Sequence, residues 1–336
     1  MLDELMDQIK RAVDRGEPMR IVGGDSKHFL GNDLSSLPSL STSGLSKLIS
    51  YEPSELVVQV EAGYPIKDLV ELLDGENQML GFDPADLGAS TIGGTVATGL
   101  SGSRRPFIGA CRDFLLGASL LDGMGNHLEF GGQVMKNVAG YDVSRLLAGS
   151  YGCLGLITEV SFKVLPKPEC EMTVRGPVDR ERLLPLMAKL GLKTETSGLA
   201  YWQGDLYVRF TGSESSVKAC SDEHDGELVS NDIWRQIDTL ELFDQDENLW
   251  RVSTEPSQSG DGFAEADLID WAGGQRWVTN QKPEITVGHL TCVKHTGGES
   301  EVFSPLDDYV MAIHKKLKTS FDPNKILNPG KMYRQL

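Results

Sequence analysis

Ala89-Ser90-Thr91-Ile92-Gly93-Gly94-Thr95-Val96-Ala97-Thr98-Gly99 is a run of small residues set inside a glycine-dense stretch. It has two readings: a tight turn packed against a helix, or a wall that wraps a flat ligand with backbone donors and hydroxyls. The surrounding stretch, from Gly81 to Gly155, is the richest in glycine of the chain. Its glycines alternate with Ile, Val, Leu and Phe rather than with Ser and Pro, so it reads as a folded domain with many turns, not as a linker. Upstream, the short apolar run at 19–22 feeds Gly23-Gly24-Asp25-Ser26-Lys27, with Gly31 following. Consecutive N–H groups in such a turn can converge on a phosphate. Downstream, Gly149-Ser150-Tyr151-Gly152-Cys153-Leu154-Gly155 places glycine at every third residue ahead of a strand. None of these clusters is G-x-G-x-x-G or a Walker loop, so the usual dinucleotide and nucleoside-triphosphate motifs are missing. Separately, each is compatible with ordinary turn chemistry.

At 336 residues the chain is long enough for two packed domains. No apolar run is long enough to span a bilayer, and the composition predicts a soluble chain. The opening MLDELMDQIK is acidic with helical apolar spacing, unlike a secretory signal. Five scattered cysteines, Cys111, Cys153, Cys170, Cys220 and Cys292, include no C-x-x-C pair. They predict reduced, buried thiols in the cytoplasm, with no zinc or iron–sulfur site in this chain. A formal charge of −17 disfavours nucleic acid and anionic lipid as partners.

Periodicity predicts helices at 2–15, 66–73, 143–147, 180–190, 216–220, 231–243 and 306–317. Strands are expected at 19–22, 45–48, 56–60, 154–165, 172–174, 199–202, 206–210, 250–253, 263–268, 276–279 and 285–293. A hairpin turning on Asp122-Gly123-Met124-Gly125-Asn126 is expected after Phe114. The Pro166-Lys167-Pro168 stop marks a first boundary. The β-α-β-β-α order beyond it suggests a split βαβ sheet.

Read together, the cluster at 23–27, Gly81-Phe82-Asp83-Pro84, the run at 89–99, the G-x-x-G-x-x-G at 149–155 and Asn328-Pro329-Gly330 resemble the FAD-binding fold of the vanillyl-alcohol oxidase and p-cresol methylhydroxylase family. Within it, Phe130-Gly131-Gly132-Gln133-Val134-Met135-Lys136-Asn137-Val138-Ala139-Gly140-Tyr141-Asp142, with Ser144-Arg145-Leu146 and Gly102-Ser103-Arg104-Arg105-Pro106, is similar to the smaller, FAD-binding subunits of bacterial glycolate oxidases. The resemblance implies an α+β chain: an FAD-binding domain at 1–168, a reduced α+β cap or substrate domain at 169–296, and a helix and tail at 297–336 that return to the first domain. It implies non-covalent FAD. Gly23, Gly24, Asp25, Ser26 and Lys27 would hold the pyrophosphate, with Lys27 left open between that role and an exposed turn. Ala89, Ser90, Thr91, Ile92, Gly93 and Gly94 would line the flavin, and Gly149, Ser150, Gly152, Gly155 and Ile157 would lie along the adenosine and ribityl side. The implied partners are a second FAD-binding subunit and an iron–sulfur subunit, with a small 2-hydroxy acid as the substrate of the complex and any membrane association made through those partners.

Relatives that oxidise 2-hydroxy acids often carry G-H-x-G-D-G-N-x-H, whereas this chain has only Gly288-His289-Leu290-Thr291-Cys292-Val293-Lys294-His295. No catalytic base and no metal ligand set is identified, and Arg104 and Arg105 are candidates for a carboxylate clamp or for a partner contact. The pattern favours a redox or assembly subunit. A scaffold without functional flavin and a stand-alone flavin oxidase are the alternatives.

Overall fold

In the computed structural model, which describes residues 1–132, 142–243, 248–294 and 302–336, the opening helix Leu2–Arg15 buries Leu5, Ile9 and Ala12 on one stripe. It stops where Gly16 turns left-handed at φ 65°, the usual way to satisfy the last carbonyls of a helix. The stripe packs on Met19, Leu40, Leu121, Leu156, Ile326 and Leu327. Next to it, strand Arg20–Val22 pairs in parallel with Ser39–Ser41. The strand expected at 45–48 begins only at Leu48 and runs Leu48–Glu52. Leu45 instead closes a turn onto the Thr42 carbonyl and buries its side chain beneath the first helix.

The chain divides into two units: Met1–Leu100, Ala110–Pro166 and Pro305–Leu336 form the first, while Ser101–Gly109 and Lys167–Ser304 form the second. The first unit holds a five-stranded antiparallel sheet in the order Leu48–Glu52, Val57–Glu61, Leu156–Lys163, Leu115–Leu121, His127–Gly131. The predicted hairpin joins the last two strands, with Asp122 accepting the N–H groups of Met124 and Asn126. Val58, Val60, Val160 and Phe162 of the sheet pack with Leu69 and Leu73 of helix Ile66–Asp74 and with Ile92 and Val96. Residues 133–141, most of the run that carries the narrower resemblance, lie outside the described residues, as does His295.

The second unit is an antiparallel sheet of eight strands. Its first part follows the split βαβ pattern: Cys170–Pro177 lies between Glu227–Val229 and Asp205–Gly212, and Thr196–Trp202 pairs on the far side of Asp205–Gly212. Helices Arg180–Leu190 and Glu214–Glu223 contribute Leu183, Met187, Val217 and Cys220 to the core against this part. Three expectations differ here. Residues 263–267 form no strand, because the Arg180 guanidinium takes the carbonyls of Phe263, Ala264 and Ala266 that a ladder would use; the strand is Leu268–Asp270. The strand expected from 285 starts at His289, since Asp261 captures the N–H groups of Thr286 and Val287. The helix expected at 231–243 is Asp232–Asp238, after which Leu240 turns left-handed at φ 61°.

The tail returns to the first unit through a buried ion pair. Lys318, on helix Asp308–Phe321, meets Asp322 at 2.7 Å with side chains 2% and 0% exposed. The ammonium also donates to the carbonyls of Cys153 and Leu327, and the carboxylate accepts from Ile326 and Leu327. A buried pair removed on one side leaves an uncompensated charge. Lys318→Met is therefore expected to lower the stability of the chain by about 3–5 kcal/mol, measured by urea denaturation followed by circular dichroism. An unchanged midpoint would show that the pair does not hold the tail.

Candidate functional site

Strand Arg20–Val22 delivers residues 23–28 to the side of a cleft with about 1100 Å³ of atom-free space, part of it open to solvent. All of its lining belongs to the first unit. Gly23, Gly24, Asp25, Ser26 and Lys27 all line it, as do Thr91, Gly93 and Gly94, and Gly152, Gly155 and Ile157. The three glycine clusters, far apart in sequence, thus converge on one cavity.

The close approach of these segments explains the glycines. A Cβ on Gly24 would stand 1.5 Å from the Ala89 carbonyl oxygen, so the 23–27 loop lies backbone to backbone against the small-residue run. Thr91 caps helix Ile92–Thr98 by accepting the Gly94 N–H. The helix has two faces: Ile92 and Val96 are fully buried in the core, while the half-buried Gly94, Ala97 and Thr98, at i, i+3 and i+4, line the cleft. That face presents only small side chains and one hydroxyl, a flat wall.

Ala89, Ser90, Ile92, Gly149 and Ser150 stand behind the cleft lining. Ile92 belongs to the core, Gly149 is hydrogen-bonded to Val96, and the buried Ser150 leaves its hydroxyl without a partner among the described residues. Ser90 has a positioning role. Its hydroxyl accepts from Leu87 N–H at 2.9 Å and from Lys27 Nζ at 2.7 Å, and lies 3.1 Å from the Ser26 hydroxyl.

Lys27 is not an exposed turn residue: it is 8% exposed, and burial lowers its pKa to about 8 against the opposing pull of Asp86. His28, by contrast, is exposed and places Nδ1 2.8 Å from the Asp25 carbonyl. The clamp suggested for Arg104 and Arg105 does not form: Arg104 is ion-paired with Glu171 and Arg105 stacks 4.2 Å over the Trp271 ring, both within the second unit.

Several lining residues were not expected. Arg20 approaches Asp25 at 3.3 Å while its buried Nε has no partner among the described residues. Lys331, its pKa lowered by burial, donates to the carbonyls of His28 and Asn32. Asn328 accepts from Ile21 N–H at 2.6 Å and donates to the Tyr151 carbonyl at 2.7 Å. Thr98 and Ala97 could have been found by helical spacing from Gly94. Asn328 belongs to a quoted motif, while Arg20 and Lys331 carry no signal in the sequence.

FAD offers a flat ring system and a diphosphate. A small-residue wall, a glycine loop packed backbone to backbone and a buried ammonium make a donor set that fits both. Residues 2–131 match the family model described as an FAD binding domain. Two solved structures of alkyldihydroxyacetonephosphate synthase share the fold at a TM-score of 0.66 and 16% identity, covering 97% of this chain and 74% or 75% of theirs. Fold and cleft are those of an FAD-binding domain, and with the relatives that follow they make the chain an FAD-dependent oxidoreductase subunit. Glycolate oxidase subunit GlcE of Escherichia coli (strain K12) is 37% identical over 343 residues, spanning 99% of this chain and 97% of that protein, and the chain belongs to the GlcE family. Partial similarity extends to glycolate oxidase subunit GlcD of Bacillus subtilis (strain 168), 32% identical over 39% of this chain and 28% of GlcD. D-lactate dehydrogenase of Anaerostipes hadrus is likewise 32% identical, over 42% of this chain and 29% of the enzyme.

Gly93 and Gly94 separate two effects of substitution. A Cβ on Gly93 would sit 2.7 Å from the Ala62 Cβ and 2.8 Å from its carbonyl, whereas one on Gly94 meets only the Thr91 hydroxyl, at 3.3 Å. Gly93→Val is expected to destabilise the fold by about 1–3 kcal/mol through overpacking. Gly94→Val is expected to lose flavin and, compared as flavin-free protein, to keep the wild-type melting temperature. Melting curves beside the flavin absorbance of each purified variant check this, and full flavin occupancy in Gly94→Val would remove Gly94 from the site.

Proposed function

We propose that this chain is the smaller FAD-binding subunit of a multi-subunit complex that oxidises glycolate or a related 2-hydroxy acid, with a redox or assembly role. The observation that carries the reading is the end-to-end match to GlcE, laid on a chain whose glycine clusters meet in one cleft. In this reading Gly23, Gly24, Asp25, Ser26 and Lys27 hold the diphosphate, and Ser90 fixes Lys27. Thr91, Gly93 and Gly94 lie along the flavin, and Gly152, Gly155 and Ile157 along the adenosine and ribityl portion. Ala89, Ile92, Gly149 and Ser150 support these segments from behind. In this reading FAD is held without a covalent link.

Bound FAD supplies the two-electron acceptor for oxidation of a 2-hydroxy acid to the 2-oxo acid. The chain's own residues bind and orient it: the flat face of Gly94, Ala97 and Thr98 seats a ring, and the loop amides with Lys27 answer the negative charge. Residues 169–296 form the reduced cap, and 297–336 the returning tail. The partners in this reading are a second FAD-binding subunit and an iron–sulfur subunit, in the cytoplasm, with membrane association made through them. Among the described residues no helix is long and apolar enough to cross a membrane.

The purified chain is expected to be yellow. Mixed anaerobically with excess glycolate, it should bleach negligibly, because oxidation needs a base and a carboxylate-binding cation in register with the flavin. His289 is exposed on its strand, and His289→Ala should leave flavin content unchanged. Affinity purification of the tagged chain should recover a second flavoprotein and an iron–sulfur protein. Rapid bleaching of the isolated chain would make it the catalyst, and a colourless chain would return the scaffold reading.

A further inference from the structure

Lys27 is a buried cation that Asp86 attracts without forming an ion pair. Its Nζ donates to one neutral group, the Ser90 hydroxyl, and it forms no ion pair among the described residues. That hydroxyl is fully used, accepting from Leu87 N–H and Lys27 and facing the Ser26 hydroxyl. An ammonium has three donors, and Lys27 lines the cleft, so its remaining N–H groups are available to whatever fills it. The neighbouring carboxylates are committed elsewhere. Asp86 accepts the Gly88 N–H at 3.0 Å, Asp25 faces Arg20, and Asp33 accepts both the N–H and the hydroxyl of Ser35. The other cationic or titratable groups lining the cleft are Arg20, His28, Tyr151 and Lys331, and Lys331 is turned to backbone carbonyls.

Holding a charge out of water without a partner is costly, and the cost is recovered when an anion is brought alongside. We propose that Lys27 is the counter-ion of the cofactor's diphosphate, and that retention of FAD is thereby linked to proton uptake at this one side chain. The proposal rests on the FAD reading of the cleft and names the residue that regulates it. In the free protein burial has brought Lys27 down to about 8; a diphosphate oxygen beside it raises it again. The sign follows from that rise. The added affinity is fully present below the free-protein value, declines above it, and is gone once the pH passes the bound-state value.

The test is titration of the apoprotein with FAD, read by flavin fluorescence, from about pH 7 to about pH 9.5, a range that brackets the lysine's titration. Calorimetry in two buffers of different ionisation enthalpy counts the protons taken up. Wild-type affinity is expected to fall about tenfold per pH unit above about 8, with close to one proton taken up per FAD on the alkaline side. Lys27→Met should bind FAD at least about 30-fold more weakly at neutral pH, lose the lysine-dependent slope, and bind riboflavin, which has no phosphate, as the wild type does. Proton counting on the wild type decides the matter even if the variant misfolds. Wild-type binding of FAD without proton uptake, or a folded Lys27→Met variant that binds FAD as tightly as wild type, overturns this proposal alone. A wild-type apoprotein that takes up no FAD overturns the FAD reading with it.

Discussion

Asn328 divides its carboxamide between two segments of the first unit that lie far apart in the sequence, at Ile21 and Tyr151. Its oxygen accepts the Ile21 N–H and its Nδ2 donates to the Tyr151 carbonyl, while its backbone N–H reaches the Met19 carbonyl. The strand that delivers the 23–27 loop and the turn that opens the 151–157 side of the cleft are therefore joined through one buried side chain. A hydrophobic contact would tolerate sliding of one segment past the other, but two directional bonds in opposite senses fix their register. The left-handed backbone of Asn328, φ 45°, is held by the same bonds. The buried pair of Lys318 and Asp322 locks the chain just before it. Every donor of that ammonium is matched and the carboxylate takes two backbone N–H groups, the condition under which a buried ion pair is tolerated.

A chain of net charge −17 that binds a doubly anionic cofactor must neutralise it locally, since the long-range field opposes approach. In the proposed reading the cleft does so with little fixed positive charge. Lys331 spends its donors on two backbone carbonyls and Arg20 faces Asp25, whereas Lys27 spends one donor on a neutral hydroxyl. Burial makes that charge effective, because an ammonium in a low-dielectric surround interacts far more strongly than one on the surface. It also makes the charge conditional on pH.

The fold was legible wherever one local rule acted alone. The stripe of Leu5, Ile9 and Ala12 with Gly16 behind it reads directly as a capped amphipathic helix, and the Asp122 turn reads as a hairpin. Prediction failed where a distant side chain took backbone groups away from the ladder, as Arg180 does at 263–266 and Asp261 does at 286–287. Such captures leave no trace in local periodicity. The site follows the same division. Glycine clusters pointed to the cleft, but not to which glycines face it. Gly93 and Gly94 both line the cleft, but a side chain on Gly93 would strike Ala62 while Gly94 shares the open helix face of Ala97 and Thr98, and only the structure separates these two constraints.

The segment 101–109 shows how a functional reading of charge can be replaced by a structural one. Two adjacent arginines in a Pro-bounded loop suggest a carboxylate clamp, because a guanidinium fork matches a carboxylate. Here the segment is assigned to the second unit. The fully buried Ser103 donates to Asp270 at 2.8 Å and to Asp238, Trp271 donates to the Gly102 carbonyl, Arg104 pairs with Glu171 and Arg105 covers Trp271. The carboxylates that Arg104 and Ser103 meet come from the protein itself. Helix Ile92–Thr98, whose small face lines the cleft, is thus followed almost at once by residues fastened in the other unit. All five tryptophans lie in that unit. Tryptophan emission of the flavin-free protein therefore reports on the second unit alone.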